Sequence, residues 1–189
     1  MNDVICAILN RASEPRLTAP APDQATLDAA FQCAFTAPDH ALLRPWRYLV
    51  IEGEGLHALG ELFADSLDAN DPNHAERCAR VRQSPLRAPM IIVGITSYRE
   101  HPKVPPVEQA MSAAVGMGYL ALALDAAGYG AMWRTGSPAH SDVVEQGLGL
   151  ADHEKISGFL YVGTVERAKP RVPRPEVADK VSRWPHTDQ

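Results

Sequence analysis

Gly128-Tyr129-Gly130-Ala131-Met132-Trp133-Arg134-Thr135-Gly136 is a glycine-rich turn leading into an extended stretch. Its reading decides the fold. A dinucleotide fingerprint needs its glycines between a strand and a following helix, in the order GxGxxG. Here the glycines follow a long helical pattern and no GxGxxG is present. Gly128 therefore terminates a helix, and the residues through Trp133 are extended. Helices and strands are mixed along the chain without the βαβ alternation of a doubly wound nucleotide fold, so the class is α+β.

Upstream of the turn, residues 107 to 127 make the long helix, whose Ala110, Ala113, Ala114, Gly116 and Gly118 allow close approach of a neighbour. Met90 to Ile95 is a continuous apolar run, as expected of a central strand covered on both faces. Residues 75 to 83 read as a helix with Arg77, Arg80 and Arg82 and little apolar surface. Leu56, Leu59, Leu62, Phe63 and Leu67 mark another helix, and Tyr48 to Ile51 a strand before it. Asp23 occupies an N-cap position, followed by the stripe Leu27, Ala30, Phe31, Ala34 and Phe35. Pro38 ends that helix near Ala37. Thr18 to Pro22 is a Pro-broken connection, and Val4, Ile5, Ile8 and Leu9 give a short amphipathic helix over 2 to about 11. Downstream lie a helix near Ser141 to Leu148 and a strand at Gly158 to Val162. From about Lys169 the chain is a Pro-rich extension, with Pro170, Pro173, Pro175 and Pro185. No internal repeat or low-complexity segment interrupts this order.

The bulk numbers exclude several classes. With 189 residues, 46% of them hydrophobic and 22% charged, the chain suits one domain with a substantial core. A net charge of -5 argues against nucleic acid, whose phosphates need a basic surface. The uncharged run Ala110 to Leu124 falls short of a bilayer span of about 20 residues and suits a buried helix, so no membrane partner is expected. No export signal is expected at the start of the chain. Cys6, Cys33 and Cys78 are odd in number and lack CxxC spacing, which points to a reducing, cytoplasmic setting.

Three polar clusters carry the chemistry. Arg11 and Ser13, with Arg16 nearby, read either as the solvated end of a helix or as a phosphate site using a guanidinium and a hydroxyl. Ala37-Pro38-Asp39-His40, followed by Pro45-Trp46, is either a surface turn capped by Asp39 or a ligand loop. His40 has no partner at metal-ligand spacing, and no metal is expected. On its own pattern Trp133 reads as a core aromatic. Arg77, Arg80, Arg82 and Arg87 form a solvated face or, through Arg80 or Arg82, approach an anionic ligand. Lys103 and Glu108 flank Pro105-Pro106 and line a candidate mouth. Cys33 has no paired base and is not a nucleophile candidate.

The order and spacing of these clusters, from Ile8 to about Lys169, resemble the FMN-dependent nitroreductase family, in its compact branch of short NAD(P)H nitroreductases. Arg11 and Ser13 match the family's Arg-x-Ser on the flavin phosphate, while Ala12 stands where the branch often has a second Arg. Pro45-Trp46 matches the family's pair, and Asp39-His40 the branch's own loop. Thr36 stands where the branch can have an Arg toward the flavin. Trp133-Arg134-Thr135 matches a Trp-Arg-Ser/Thr triplet lying along it. The resemblance thus implies FMN contacts from Arg11, Ala12, Ser13, Thr36, His40, Trp133, Arg134 and Thr135, with no catalytic side chain because FMN carries the chemistry. It further implies a central mixed sheet flanked by helices in an intertwined homodimer, with FMN between subunits. The residues 107 to 127 helix is the expected contact, through Gly116 and Gly118. The implied activity is ping-pong transfer of hydride from NADH or NADPH through FMN to a nitroaromatic, quinone or similar small-molecule acceptor. Alternatives are a flavin-dependent dehydrogenase or reductase of a specific metabolite, and a non-catalytic flavin-holding dimer.

Overall fold

Local signals place most element boundaries in the computed structural model, which describes residues 2–170 and 172–184. Helix α1 (Asp3–Asn10) starts where Asn2 accepts the Val4 N–H, and strand β1 (Leu17–Thr18) follows. The Asp23 carboxylate accepts the Thr26 N–H at 2.9 Å and so opens helix α2 (Gln24–Ala34). Next come strand β2 (Trp46–Glu52), helix α3 (Glu54–Asp65), helix α4 (His74–Arg82) and strand β3 (Met90–Ser97). Pro106 sits in the first turn of helix α5 (Pro106–Ala126), where a missing N–H costs nothing. Strand β4 (Gly130–Arg134), helix α6 (Asp142–Gly147) and strand β5 (Glu154–Val165) complete the order.

The strands form one sheet. β2 pairs with β3 and β3 with β5, while β4 and β1 share the other edge of β5. Every strand pair is antiparallel; the only parallel contact among the described residues is an isolated bridge between Ser13 and Ala131. The expected α+β sheet flanked by helices is present, and its mixed character is confined to that bridge. The reason is connectivity: no helix carries the chain back to a parallel neighbouring strand.

β3 shows why the central run is continuously apolar. Met90 and Ile92 face the α2 and α5 side, whereas Ile91, Val93 and Ile95 face α3 and α6, and all five are at most 1% exposed. On the first side Met117, Leu120 and Leu124 of α5 meet Leu27, Ala30 and Ala34 of α2. On the second, Phe63 meets Phe159 edge-on at 5.0 Å between ring centroids. α5 is thus a core helix along one face. Its opposite face carries Val107, Met111, Val115 and Tyr119, spaced four apart and all exposed. The apolar side of α1 (Val4, Ile5, Ile8, Leu9) is exposed as well.

Gly116 corrects an expectation. It points into the molecule, where an added Cβ would stand 2.7 Å from the Tyr48 hydroxyl and 3.2 Å from the Ala34 carbonyl oxygen. Its small size serves the packing of α5 on α2 within one chain, and only Gly118 opens to free space. After β5, the extension from Lys169 is largely exposed and holds one short turn, Val177–Asp179. Pro185 lies outside the described residues.

Candidate functional site

The first and third clusters meet. The Glu14 N–H donates to the Ala131 carbonyl at 3.0 Å beside the Ser13–Ala131 bridge, so the end of α1 is fastened along β4. A recess of about 520 Å³ opens there, lined by Arg11, Ala12 and Ser13 together with Lys169 and Arg174 of the extension. Two hydrogen bonds fold the extension back over it: Lys169 N–H to the Glu14 carboxylate at 3.1 Å, and the Arg174 guanidinium to the Arg11 carbonyl at 3.2 Å. The recess lies at a helix C-terminus, whose dipole repels anions. Arg11, Lys169 and Arg174 place three cations around it against that dipole. Lys169 and Arg174 escaped the sequence reading; their only signal is basic residues spaced between prolines, in a stretch without periodicity. Arg16 is exposed, and its carbonyl accepts the Glu166 N–H.

β4 continues from this recess. Alternation along the strand sends Trp133 and Arg134 to opposite faces. Trp133 is 37% exposed, and its indole N–H donates to the Ser157 carbonyl at 3.3 Å. The ring lies against Gly158, whose φ of +154° and lack of a side chain leave room for it. Arg134 turns the other way, its guanidinium 5.2 Å from the centroid of the Tyr161 ring. Its Nε is buried and has no hydrogen-bond partner among the described residues. A buried guanidinium N–H without an acceptor costs about 1–3 kcal/mol. Thr135 is exposed at the mouth of the following turn.

The second cluster is built differently. The Asp39 carboxylate accepts the Arg44 N–H at 2.6 Å, and Ser112 donates to the Pro38 carbonyl at 2.6 Å. Between these ties Ala41, Leu42 and Arg44 hold positive φ of 61°, 53° and 49°, a costly backbone that the surroundings must enforce. His40 Nδ1 lies 2.8 Å from the Glu108 carboxylate, in the first turn of α5. That contact occupies Nδ1 and leaves Nε2 as the ring nitrogen open to a ligand. Thr36 donates its hydroxyl to the Cys33 carbonyl at 2.7 Å. Trp46 lines a separate recess of about 630 Å³ with Phe31, Phe35 and Tyr48, beside the outer edge of β2. Burial pushes the Tyr48 hydroxyl up to about 12. Of the remaining polar groups, Arg82 pairs with Glu61 at 2.7 Å, and Lys103 stays exposed.

α5 separates the two halves of this chemistry. Glu108 and His40 stand at its start, while Arg11 is close enough to Asp125, near its end, for the charges to interact. At 1.5 Å per residue the 17 steps from 108 to 125 measure roughly 25 Å. No hydrogen bond or ion pair among the described residues links the His40 loop to Arg11, Ser13 or β4.

The sheet's strand pairs are all antiparallel, and a recess lined by Arg11, Lys169 and Arg174 opens beside its β4 edge. The family is defined by wider comparison. The model of the Nitroreductase family matches residues 8–164. The "Putative NAD(P)H nitroreductase YdjA" of Escherichia coli K12 is 36% identical over 162 residues, which are 86% of this chain and 88% of that protein. A nitroreductase-like family protein from Bacillus cereus superimposes with a TM-score of 0.87 at 22% identity, covering 98% of each chain. A variant of the FMN and NADPH-dependent nitroreductase NfnB from Sphigopyxis sp. strain HMH gives 0.76 at 19% identity, over 97% of this chain and 99% of its own. The chain belongs to the nitroreductase family.

Proposed function

We propose that this protein is an FMN-dependent NAD(P)H oxidoreductase working as a homodimer, with each FMN held by residues of both chains. One observation carries the reading: Arg11, Ser13, Lys169 and Arg174 line one recess, and Ser13 bridges Ala131 of β4, the strand that leads on to Trp133, Arg134 and Thr135. The residues fit the cofactor. A phosphate dianion suits three cations and a hydroxyl, and the unpartnered Arg134 Nε–H suits a polar cofactor atom as acceptor. FMN, when bound, would supply ping-pong hydride transfer between NADH or NADPH and a nitroaromatic, a quinone or a similar small acceptor.

The chain's own residues bind and orient. Arg11, the Ala12 backbone, Ser13, Lys169 and Arg174 anchor the phosphate end. Trp133 and Thr135 would flank the ring system, and Arg134, on the opposite face of β4, would add a nearby cation that favours negative charge on it. His40, with Nδ1 fixed on Glu108, presents Nε2, and Thr36 lies one turn before it. Glu108, which holds His40, and Asp125, which feels Arg11, are roughly 25 Å apart along α5, and that separation within one chain supports a two-chain site. The exposed stripe Val107, Met111, Val115 and Tyr119 and the apolar face of α1 provide surface for a second copy. The free thiols Cys6, Cys33 and Cys78 suit a cytoplasmic location.

Anaerobic mixing tests the reading. Yellow protein should bleach with NADH or NADPH and regain its colour when a nitroaromatic or quinone is added. A protein that holds FMN but is not reduced by either nucleotide would leave only the flavin-holding function.

A further inference from the structure

A second cationic recess lies outside this site. α4, the turn Pro85–Arg87 and the residues after β4 enclose about 240 Å³, into which Arg77, Arg80, Arg87, Ser84 and Ser137 converge. Arg77 is held by Asp71. Arg80 and Arg87 have no side-chain hydrogen bond or ion pair among the described residues. In a protein of net charge -5, two such guanidinia beside a third and two hydroxyls are a local concentration of positive charge. The recess also adjoins the flavin strip. Ser137 follows Thr135 by two residues, and Tyr161 lies within electrostatic reach of both Arg87 and Arg134, whose guanidinium is 5.2 Å from its ring centroid.

We infer that this recess takes the 2′-phosphate of NADPH, so that Arg80 and Arg87 make the enzyme prefer NADPH to NADH. The inference rests on the proposed oxidoreductase reading. A phosphomonoester carries close to two charges at neutral pH and three terminal oxygens, which suits guanidinium forks and hydroxyls better than the singly charged groups of a diphosphate. A recess of about 240 Å³ has room for a terminal phosphate. Arg77, steadied by Asp71, sets the shape, and Arg80 and Arg87 supply the uncommitted charge.

The test compares the purified protein with its Arg80→Ala/Arg87→Ala variant. Calorimetry with 2′-AMP and with 5′-AMP reads the recess directly, without turnover. The wild type should bind 2′-AMP more tightly than 5′-AMP, and the variant should lose that preference by roughly tenfold or more. In steady state the variant's KM for NADPH should rise by a similar factor, with KM for NADH and flavin content unchanged. Equal binding of the two nucleotides by the wild type, an unaltered 2′-AMP affinity in the variant, or equal losses with NADPH and NADH would each overturn the inference. Protein that holds no FMN would count against the oxidoreductase reading instead, and the calorimetry would still decide the recess.

Discussion

The proposed phosphate contact of Arg11 would use its side chain, since its backbone N–H already closes α1 on the Ala7 carbonyl at 2.9 Å. Arg11→Ala should therefore leave the circular dichroism spectrum intact while removing a charge-assisted contact worth about 1.5–3 kcal/mol. FMN affinity should fall by roughly tenfold to a hundredfold in titration of the apoprotein; an unchanged affinity would return Arg11 to the status of a solvated helix end. Arg134 makes a contrasting case. Its Nε–H is buried without a partner in the chain, so Arg134→Ala should hold or raise the melting temperature of the apoprotein. The further rise that FMN brings by binding the folded state should shrink, and the flavin reduction potential should fall as a cation is lost. A full FMN-induced rise with an unmoved potential would make Arg134 purely structural. Arg11, Ser13 and Arg134 stand out in the sequence as parts of short motifs, but that the segment after α1 lies along β4 emerges only from the fold. Lys169 and Arg174 do not stand out, because nothing local tells where an aperiodic Pro-rich segment will lie. That Arg134 faces away from Trp133 follows from strand alternation once β4 is fixed.

Among the elements, β2 is secured to β5 across the sheet by a pair of hydrogen bonds, Arg47 to Glu154 at 2.7 and 2.6 Å. Glu154 is 6% exposed, and the Arg47 guanidinium, helped by the Ala151 N–H, holds its carboxyl near 2 instead of 4.5. A depressed carboxylate pKa contributes stability that is complete above about 4.5 and is lost as pH falls through about 2. Glu154→Gln should thus cost about 1–3 kcal/mol at neutral pH, allowing for the partly exposed Arg47. In denaturant titrations its deficit against wild type should narrow steadily below pH 4.5; a deficit independent of pH would deny the ion pair its role. α5 yields a second contrast. Gly116→Leu meets Tyr48 and Ala34 within the chain, so it should lower the melting temperature by an overpacking cost of about 1–3 kcal/mol or more. Val115→Glu, on the exposed stripe, should instead weaken association with little change in secondary structure. Were the two variants to exchange these effects, the assignment of α5's faces would be wrong. The sequence shows α5's length and small residues, but its apolar residues run all round the helix. Only packing reveals which face is inside.

For the whole molecule, α+β character was readable from the failed fingerprint at Gly128 and the apolar run of β3, both of which report locally. The sheet's antiparallel pairing was not, since strand direction depends on how distant segments return. Nor did any local pattern separate the His40–Glu108 pair from Arg11 by the length of α5. That separation is the basis of the central claim, that FMN is held between two chains. Light scattering with simultaneous flavin absorbance tests it most directly. The account predicts that all bound FMN travels with a species of twice the 20.5 kDa chain mass, at one FMN per chain; FMN retained by a 20.5 kDa species would contradict it.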